Sequence, residues 1–175
     1  MQNDAQTPIS VTQRESTIVQ IVVESQRPYD EVIQAFEAQT REMTMERLVQ
    51  LIESTTTIEE YSRSIDEALE GATFLRLWEV DLGNAVTRYF RPFKGKEYLF
   101  GNPALAFQMI NHDPNVGFYV PFRVCIYEET PGRTYLTYSQ PTSLLAQFND
   151  EEIRRIAATL DSKVTEFFQL VARGQ

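Results

Sequence analysis

From Ile153 to Val171 the apolar residues Ile153, Ile156, Leu160, Val164, Phe167 and Val171 recur at spacings of three and four. That pattern draws one apolar stripe along a helix of roughly six turns. A stripe of this length has to be covered, and the only apolar surface the rest of the sequence offers on that scale is a set of β-branched, alternating segments. The chain is therefore expected to lay its last helix across a β-layer. Asn149, followed three residues later by Glu152, supplies a polar cap and an acid in the first turn. Hydrophobic residues make up 42% of the 175 residues, enough for a packed core and too many for a disordered chain.

Upstream, Ser16 to Glu24 reads as the first strand, and Arg27-Pro28 breaks it. A helix follows with Val32, Ile33 and Phe36 on one face. Thr40 to Ser54 is expected to continue helically with Met45, Leu48, Leu51 and Ile52 as its apolar stripe. Thr57 and Glu60 form a capping-box pattern for a helix carrying Ile58, Tyr61, Ile65 and Leu69, which Gly71 ends. The period then changes. Thr73 to Asp81 reads as a strand with Phe74, Trp78 and Val80 on one face, and a short helix follows, capped by Asp81. Lys96 to Phe100 is a strand closed by Gly101-Asn102-Pro103, and Ala104 to Asn111 is helical. In the strand Tyr119 to Glu128, Phe122, Val124 and Ile126 point one way and Arg123, Cys125 and Tyr127 the other. Pro131-Gly132 turns the chain into a partner strand, Thr134 to Ser139.

Charge is unevenly spread. Residues 1–71 hold fourteen acids and five bases, a net of −9, whereas residues 72–175 hold eleven of each. An acidic chain repels phosphates, so no nucleic-acid partner is expected. The basic run Arg88, Arg91, Lys94 and Lys96, interleaved with Tyr89, Phe90 and Phe93, reads as a solvated loop flanked by core aromatics. It could pair with the acidic half, within the chain or across a dimer. One histidine, His112, and one cysteine, Cys125, cannot supply the usual zinc ligand sets, and no cofactor is expected. No apolar run nears the roughly 20 residues that span a bilayer. Met1 to Arg14 has neither a basic start nor an apolar run, so residues 1–15 are read as a flexible tail and the protein as cytoplasmic, with no membrane partner.

Several short segments are familiar in order. Glu97 to Pro103 ends a strand in Phe-Gly-Asn-Pro, and Met109 and Asp113-Pro114 follow. Then come Val120-Pro121-Phe122-Arg123-Val124, Tyr127-Glu128 and Tyr138-Ser139-Gln140-Pro141. Together they resemble the family known as domain of unknown function 302, as does the strand Phe74 to Asp81. The resemblance implies an α+β fold, TATA-binding-protein-like: a curved antiparallel sheet with helices packed on one face, forming a single domain over residues 16–172. Residues 41–70 would then be a helical enlargement of the connection after the first strand. Two departures stand out. Leu82 occupies a position where the family usually has histidine, and Ala106-Phe107 stands where a glycine–threonine pair is common.

Nothing in the sequence assembles a coherent catalytic set. The expected function is a non-enzymatic domain that binds a small molecule or another protein, with Met109, Asp113, Arg123 and Tyr138 as the residues expected to meet a ligand. An alternative is a small metal-independent enzyme in which Asp113, Arg123 and Tyr138 converge. A third is a structural homo-oligomer, a homodimer being its simplest form.

Overall fold

The computed structural model describes residues 9–174. Of the tail expected over residues 1–15, residues 1–8 lie outside that range, and residues 9–19 are exposed without regular secondary structure. Six strands are described: β1 (Gln20–Ser25), β2 (Thr40–Glu42), β3 (Phe74–Asp81), β4 (Lys94–Gly101), β5 (Phe122–Thr130) and β6 (Arg133–Ser139). The helices are α1 (Tyr29–Gln39), α2 (Met45–Ser54), α3 (Ile58–Leu69), α4 (Leu82–Tyr89), α5 (Pro103–His112), α6 (Pro141–Leu144) and α7 (Glu151–Arg173), with a 3-10 turn at Pro114–Phe118. The strands form one curved sheet in the order β1-β6-β5-β4-β3-β2, antiparallel except for the β2–β3 pair. The architecture is the α+β class that the sequence predicts.

β1 begins four residues later than its composition suggests, because a strand needs a partner. Its first register pair is Gln20 with Ser139, the last residue of β6. Beyond that point the chain is tied differently, Val19 N donating to Ser143 Oγ at 2.9 Å.

Alternation divides the sheet into two faces. Tyr98, Phe100, Phe122, Val124, Ile126, Leu136 and Tyr138 point toward α1 and α7 and are buried. Arg123, Cys125 and Tyr127 point away, as predicted. α7 fills the covered face with the whole predicted stripe: Ile153, Ile156, Leu160, Val164, Phe167 and Val171 are all buried. Phe168 joins them, its ring 4.5 Å from that of Tyr138 and 6.3 Å from that of Phe36. The cap is Asp150 rather than Asn149. Asp150 Oδ1 accepts from Ile153 N at 2.9 Å, while Asn149 Oδ1 accepts from Arg154. At its far end α7 is pinned to β1, Ser25 Oγ donating to Ala172 O at 2.7 Å.

The expected single helix from Thr40 to Ser54 does not form. Thr40 Oγ1 donates to Phe36 O and closes α1, and Thr40–Glu42 then pairs with Phe74, Leu75 and Arg76 as β2. Burial also corrects the stripe assigned to α2: Leu48 and Leu51 are buried, whereas Met45 and Ile52 are 56% and 43% exposed. In β3 a register shift between Arg76 and Trp78 leaves Trp78 47% exposed instead of packed with Phe74. Phe74 faces the α7 core. Leu75, of opposite parity, joins Met43, Leu48, Leu51, Tyr61, Ile65, Leu69 and Ala104 in a second, smaller core beneath α2 and α3. α3 starts as predicted, Glu60 N donating to Thr57 Oγ1, but the Glu60 carboxylate reaches back to Thr56 rather than to Thr57. The left-handed turn that ends α3 runs through Glu70 at φ 48° and Gly71 at φ 85°.

Truncating Phe168 to alanine removes a fully buried ring from the centre of this packing and is expected to cost about 3–5 kcal/mol in urea unfolding. Gln169→Ala, one residue along and exposed, should stay within about 0.5 kcal/mol of the parent.

Candidate functional site

The end of β4 delivers the chain into α5 through Gly101-Asn102-Pro103. Asn102 Oδ1 accepts from Ala104 N at 3.0 Å and from Leu105 N at 3.2 Å, and Pro103 occupies the first helical position, where it lacks a donor the helix would leave unpaired. α5 is thereby set over the end of the sheet, touching both α7 and α3. Its far end is held by two side chains distant in sequence: His112 Nδ1 lies 3.1 Å from Asp150 Oδ2 at the start of α7. His112 thus meets Asp150, not its neighbour Asp113, which accepts from Asn115 N and caps the 3-10 turn.

Beneath α5 this arrangement leaves an apolar cavity of about 90 Å³. Gly101, Asn102 and Pro103 line it, with Ala106, Phe107, Met109 and Ile110 of α5 above. Val120, Pro121 and Phe122 form one wall, and Leu48, Leu77 and Leu160 close it from three other elements. Asn102 is the one polar side chain in the lining, and since its Oδ1 is engaged in capping, the group it can offer is its amide Nδ2 donor. The volume is several times the roughly 10–15 Å³ one water needs, yet the walls give water almost no partners. Hollows elsewhere are larger, about 350–540 Å³, but their linings are of mixed polarity.

Of the four residues expected to meet a ligand, Met109 lines the cavity and the other three lie elsewhere. Tyr138 is buried in the main core, paired in register with Val124. Arg123 precedes Val124 and so points from the opposite face of the sheet, where its Nε lies 2.8 Å from Glu97 Oε1. Asp113 is at the surface, its carboxyl held below the ordinary range by the Asn115 side chain and backbone. Asp113, Arg123 and Tyr138 are therefore not brought together. Burial pushes the Cys125 thiol up, with Glu97 adding to the effect, which suppresses the thiolate.

A polar cluster that sequence reading missed lies at the β3–β4 edge. Lys96 Nζ bridges Glu37 Oε1 at 3.0 Å and Glu79 Oε1 at 3.1 Å, and the buried Tyr98 hydroxyl donates to Glu37 Oε1 at 2.8 Å. Arg76 pairs with Glu42 and Glu79 beside them. Burial alone would raise Glu37, but the bonds from Lys96 and Tyr98 outweigh it and hold the carboxyl below its usual range. Burial likewise pulls Lys96 down, and Glu37 and Glu79 more than reverse that. Both groups stay charged through neutral pH, so the cluster is an ion-pair lock between α1 and the sheet. It is not a proton relay, which needs a group poised near the working pH. No local sequence signal links Glu37 to a lysine 59 residues away.

The domain of unknown function family DUF302 matches residues 50–171 of the chain. The chain belongs to the DUF302 family. Its fold is similar to that of the uncharacterized conserved protein DUF302 from Bacillus stearothermophilus, known from a crystal structure, at a TM-score of 0.61. The likeness covers 86% of this chain and 95% of that one at 18% identity. No curated protein matches the chain. Some of the segments that carry the family resemblance in sequence, Gly101-Asn102-Pro103, Met109 and Val120-Pro121-Phe122, line the same cavity, whereas Asp113-Pro114, Tyr127-Glu128 and Tyr138 to Pro141 lie outside it. No helix among the described residues is long and apolar enough to cross a membrane, and these residues hold no group of three metal-ligating side chains.

Glu37 has its carboxyl held low in the folded chain, so its contribution to stability is complete above the unfolded carboxylate pKa of about 4.3 and is lost as pH falls through the lower folded value. Glu37→Gln should therefore lower the melting temperature at neutral pH. It should also flatten the acid limb of a melting-temperature profile recorded between about pH 2 and pH 7.

Proposed function

We propose that this DUF302 chain is a non-enzymatic binding domain that takes a small apolar group into the cavity beneath α5. The observation that carries this reading is the convergence of three of the family-like segments on one space with an almost wholly apolar lining. A part-open cavity lined by Leu48, Leu77, Phe107 and Leu160 favours an apolar group over poorly bonded water, and the Asn102 amide would orient a ligand by one hydrogen bond. A space of about 90 Å³ suits a short alkyl or aryl group and not a whole cofactor. The net charge of −9 supports reading the sheet, TATA-binding-protein-like by resemblance, as having no nucleic-acid partner.

The test is a thermal-shift series with hexanol, toluene and indole on the full chain. At a hundredfold excess over Kd a ligand stabilises by about 2.7 kcal/mol. For a chain of this size that raises the melting temperature by roughly 5–10 °C. Ala106→Trp, which fills the cavity from α5, should abolish the shift. Absence of any shift with all three probes, or an equal shift in Ala106→Trp, would defeat the reading.

A further inference from the structure

α2 is apolar on two faces, and packing among the described residues uses only one. Leu48 and Leu51 enter the smaller core. Met45, Val49 and Ile52, at spacings of four and three, form a second stripe that stays 56%, 45% and 43% exposed, and Ile58 at the start of α3 extends it at 46%. Across α2 and α3, residues 45–69 hold six acids (Glu46, Glu53, Glu59, Glu60, Asp66, Glu67) against two bases (Arg47, Arg63), a net of −4. None of the six makes an ion pair among the described residues.

The end of α4 has the complementary character. Tyr89 is 68% exposed and Phe90 85%, which corrects the expectation that these rings belong to the core. Residues 82–94 contain three cations (Arg88, Arg91, Lys94) and no acid, a net of +3. Lys94 is paired within the chain, with Asp30 and Glu128. Arg88 and Arg91 make no ion pair among the described residues. The Arg88 guanidinium lies 5.5 Å from the Tyr89 ring centroid. The tip is also held in shape: Phe90 N and Arg91 N both donate to Val86 O, and Thr87 Oγ1 is bonded to both the N–H and the carbonyl of Phe93. Gly83 lets α4 sit this close to β4, since a Cβ there would come within 2.9 Å of Phe93 O. A preshaped aromatic knob has little ordering entropy left to lose on binding.

We infer that the occupant of the α2 stripe is a second copy of this chain, with its Tyr89–Phe90 tip seated on Met45, Val49 and Ile52 and its Arg88 and Arg91 facing Glu46, Glu53 and Glu59. The exposure of both patches shows that they do not cover each other within one chain. Their apolar character and opposite charges make them partners for each other between chains. The contact joins two different patches, so it closes as an isologous dimer when reciprocal and extends head-to-tail when it is not.

Sedimentation velocity of the full chain over a concentration series is the test. The weight-average mass should rise above 20.2 kDa with concentration, and more so at roughly 50 mM than at about 1 M salt. Phe90→Asp and Ile52→Asp, both at exposed positions, should each weaken association at least about tenfold. An equimolar mixture of the two variants, which restores one intact tip facing one intact stripe, should associate more tightly than either variant alone. A monomer at every concentration would overturn the inference, as would association that neither substitution weakens. A mixture no tighter than its components would replace it with a tip-to-tip or stripe-to-stripe contact. A monomer that sediments with phosphatidylglycerol vesicles would reassign the tip to an anionic lipid surface.

Discussion

The burial of the α7 stripe against the sheet is the constraint on which the other elements depend. Phe167 and Phe168 stand where rings from α1, β3, β4 and β6 meet, with Phe36, Phe74, Phe100 and Tyr138 all within 6.5 Å of one or the other. Contacts of this kind are individually small, but together they demand that the sheet present one parity of residues to α7 and the other to the opposite side. Once that choice is made, the surroundings of every strand side chain follow. The ties at the two ends of α7, Asp150 at its start and Ser25 on Ala172, then leave little freedom in how it lies.

That division of the sheet also governs what chemistry the molecule can assemble. Tyr138 and Arg123 come from neighbouring strands, and β5–β6 pairing brings their backbones close, yet parity sends the tyrosine into the core and the arginine to Glu97 on the far side. Glu37, Lys96 and Tyr98 do meet, and burial of the Tyr98 hydroxyl together with the bonds among the three holds each of them away from neutral pH. What remains as a candidate site is apolar space. It arises where three layers end together: the last turn of the sheet, the underside of α5, and Leu160 of α7. α5 is held off the sheet by Asn102 at one end and by the His112–Asp150 contact at the other, so the cavity depends on those two polar attachments.

Much of the fold was legible in the sequence. The α7 stripe, the alternation in β5, the β5–β6 turn and the Asn102-Pro103 helix start all depend on interactions within a few residues, which periodicity and capping residues report directly. Apart from the local slips at Asn149 and Thr57, the misreadings share one cause. Thr40–Glu42 is a strand because β3 offers it a free edge, and β1 starts at Gln20 because β6 ends at Ser139. Trp78 is exposed because pairing with β4 slips between Arg76 and Trp78. Tyr89 and Phe90 look like core residues in sequence, but none of the described residues covers the end of α4. Of the candidate site, only Met109 was among the residues expected to meet a ligand. Leu48, Leu77 and Leu160 could not be picked out beforehand, since an apolar residue carries no mark of whether its neighbours fill the space beside it.

The sequence by itself determined the class of the protein: an acidic α+β chain with a long amphipathic helix, a β-layer to cover, and too few histidines and cysteines for a zinc site of its own. Those properties follow from composition and short-range periodicity. Tertiary structure alone decided which face of each strand is buried, which side of α2 is left open, and where a cavity persists. Each of these is settled by contacts between residues tens of positions apart, and pairing at that distance depends on how complete surfaces fit, which no local pattern encodes.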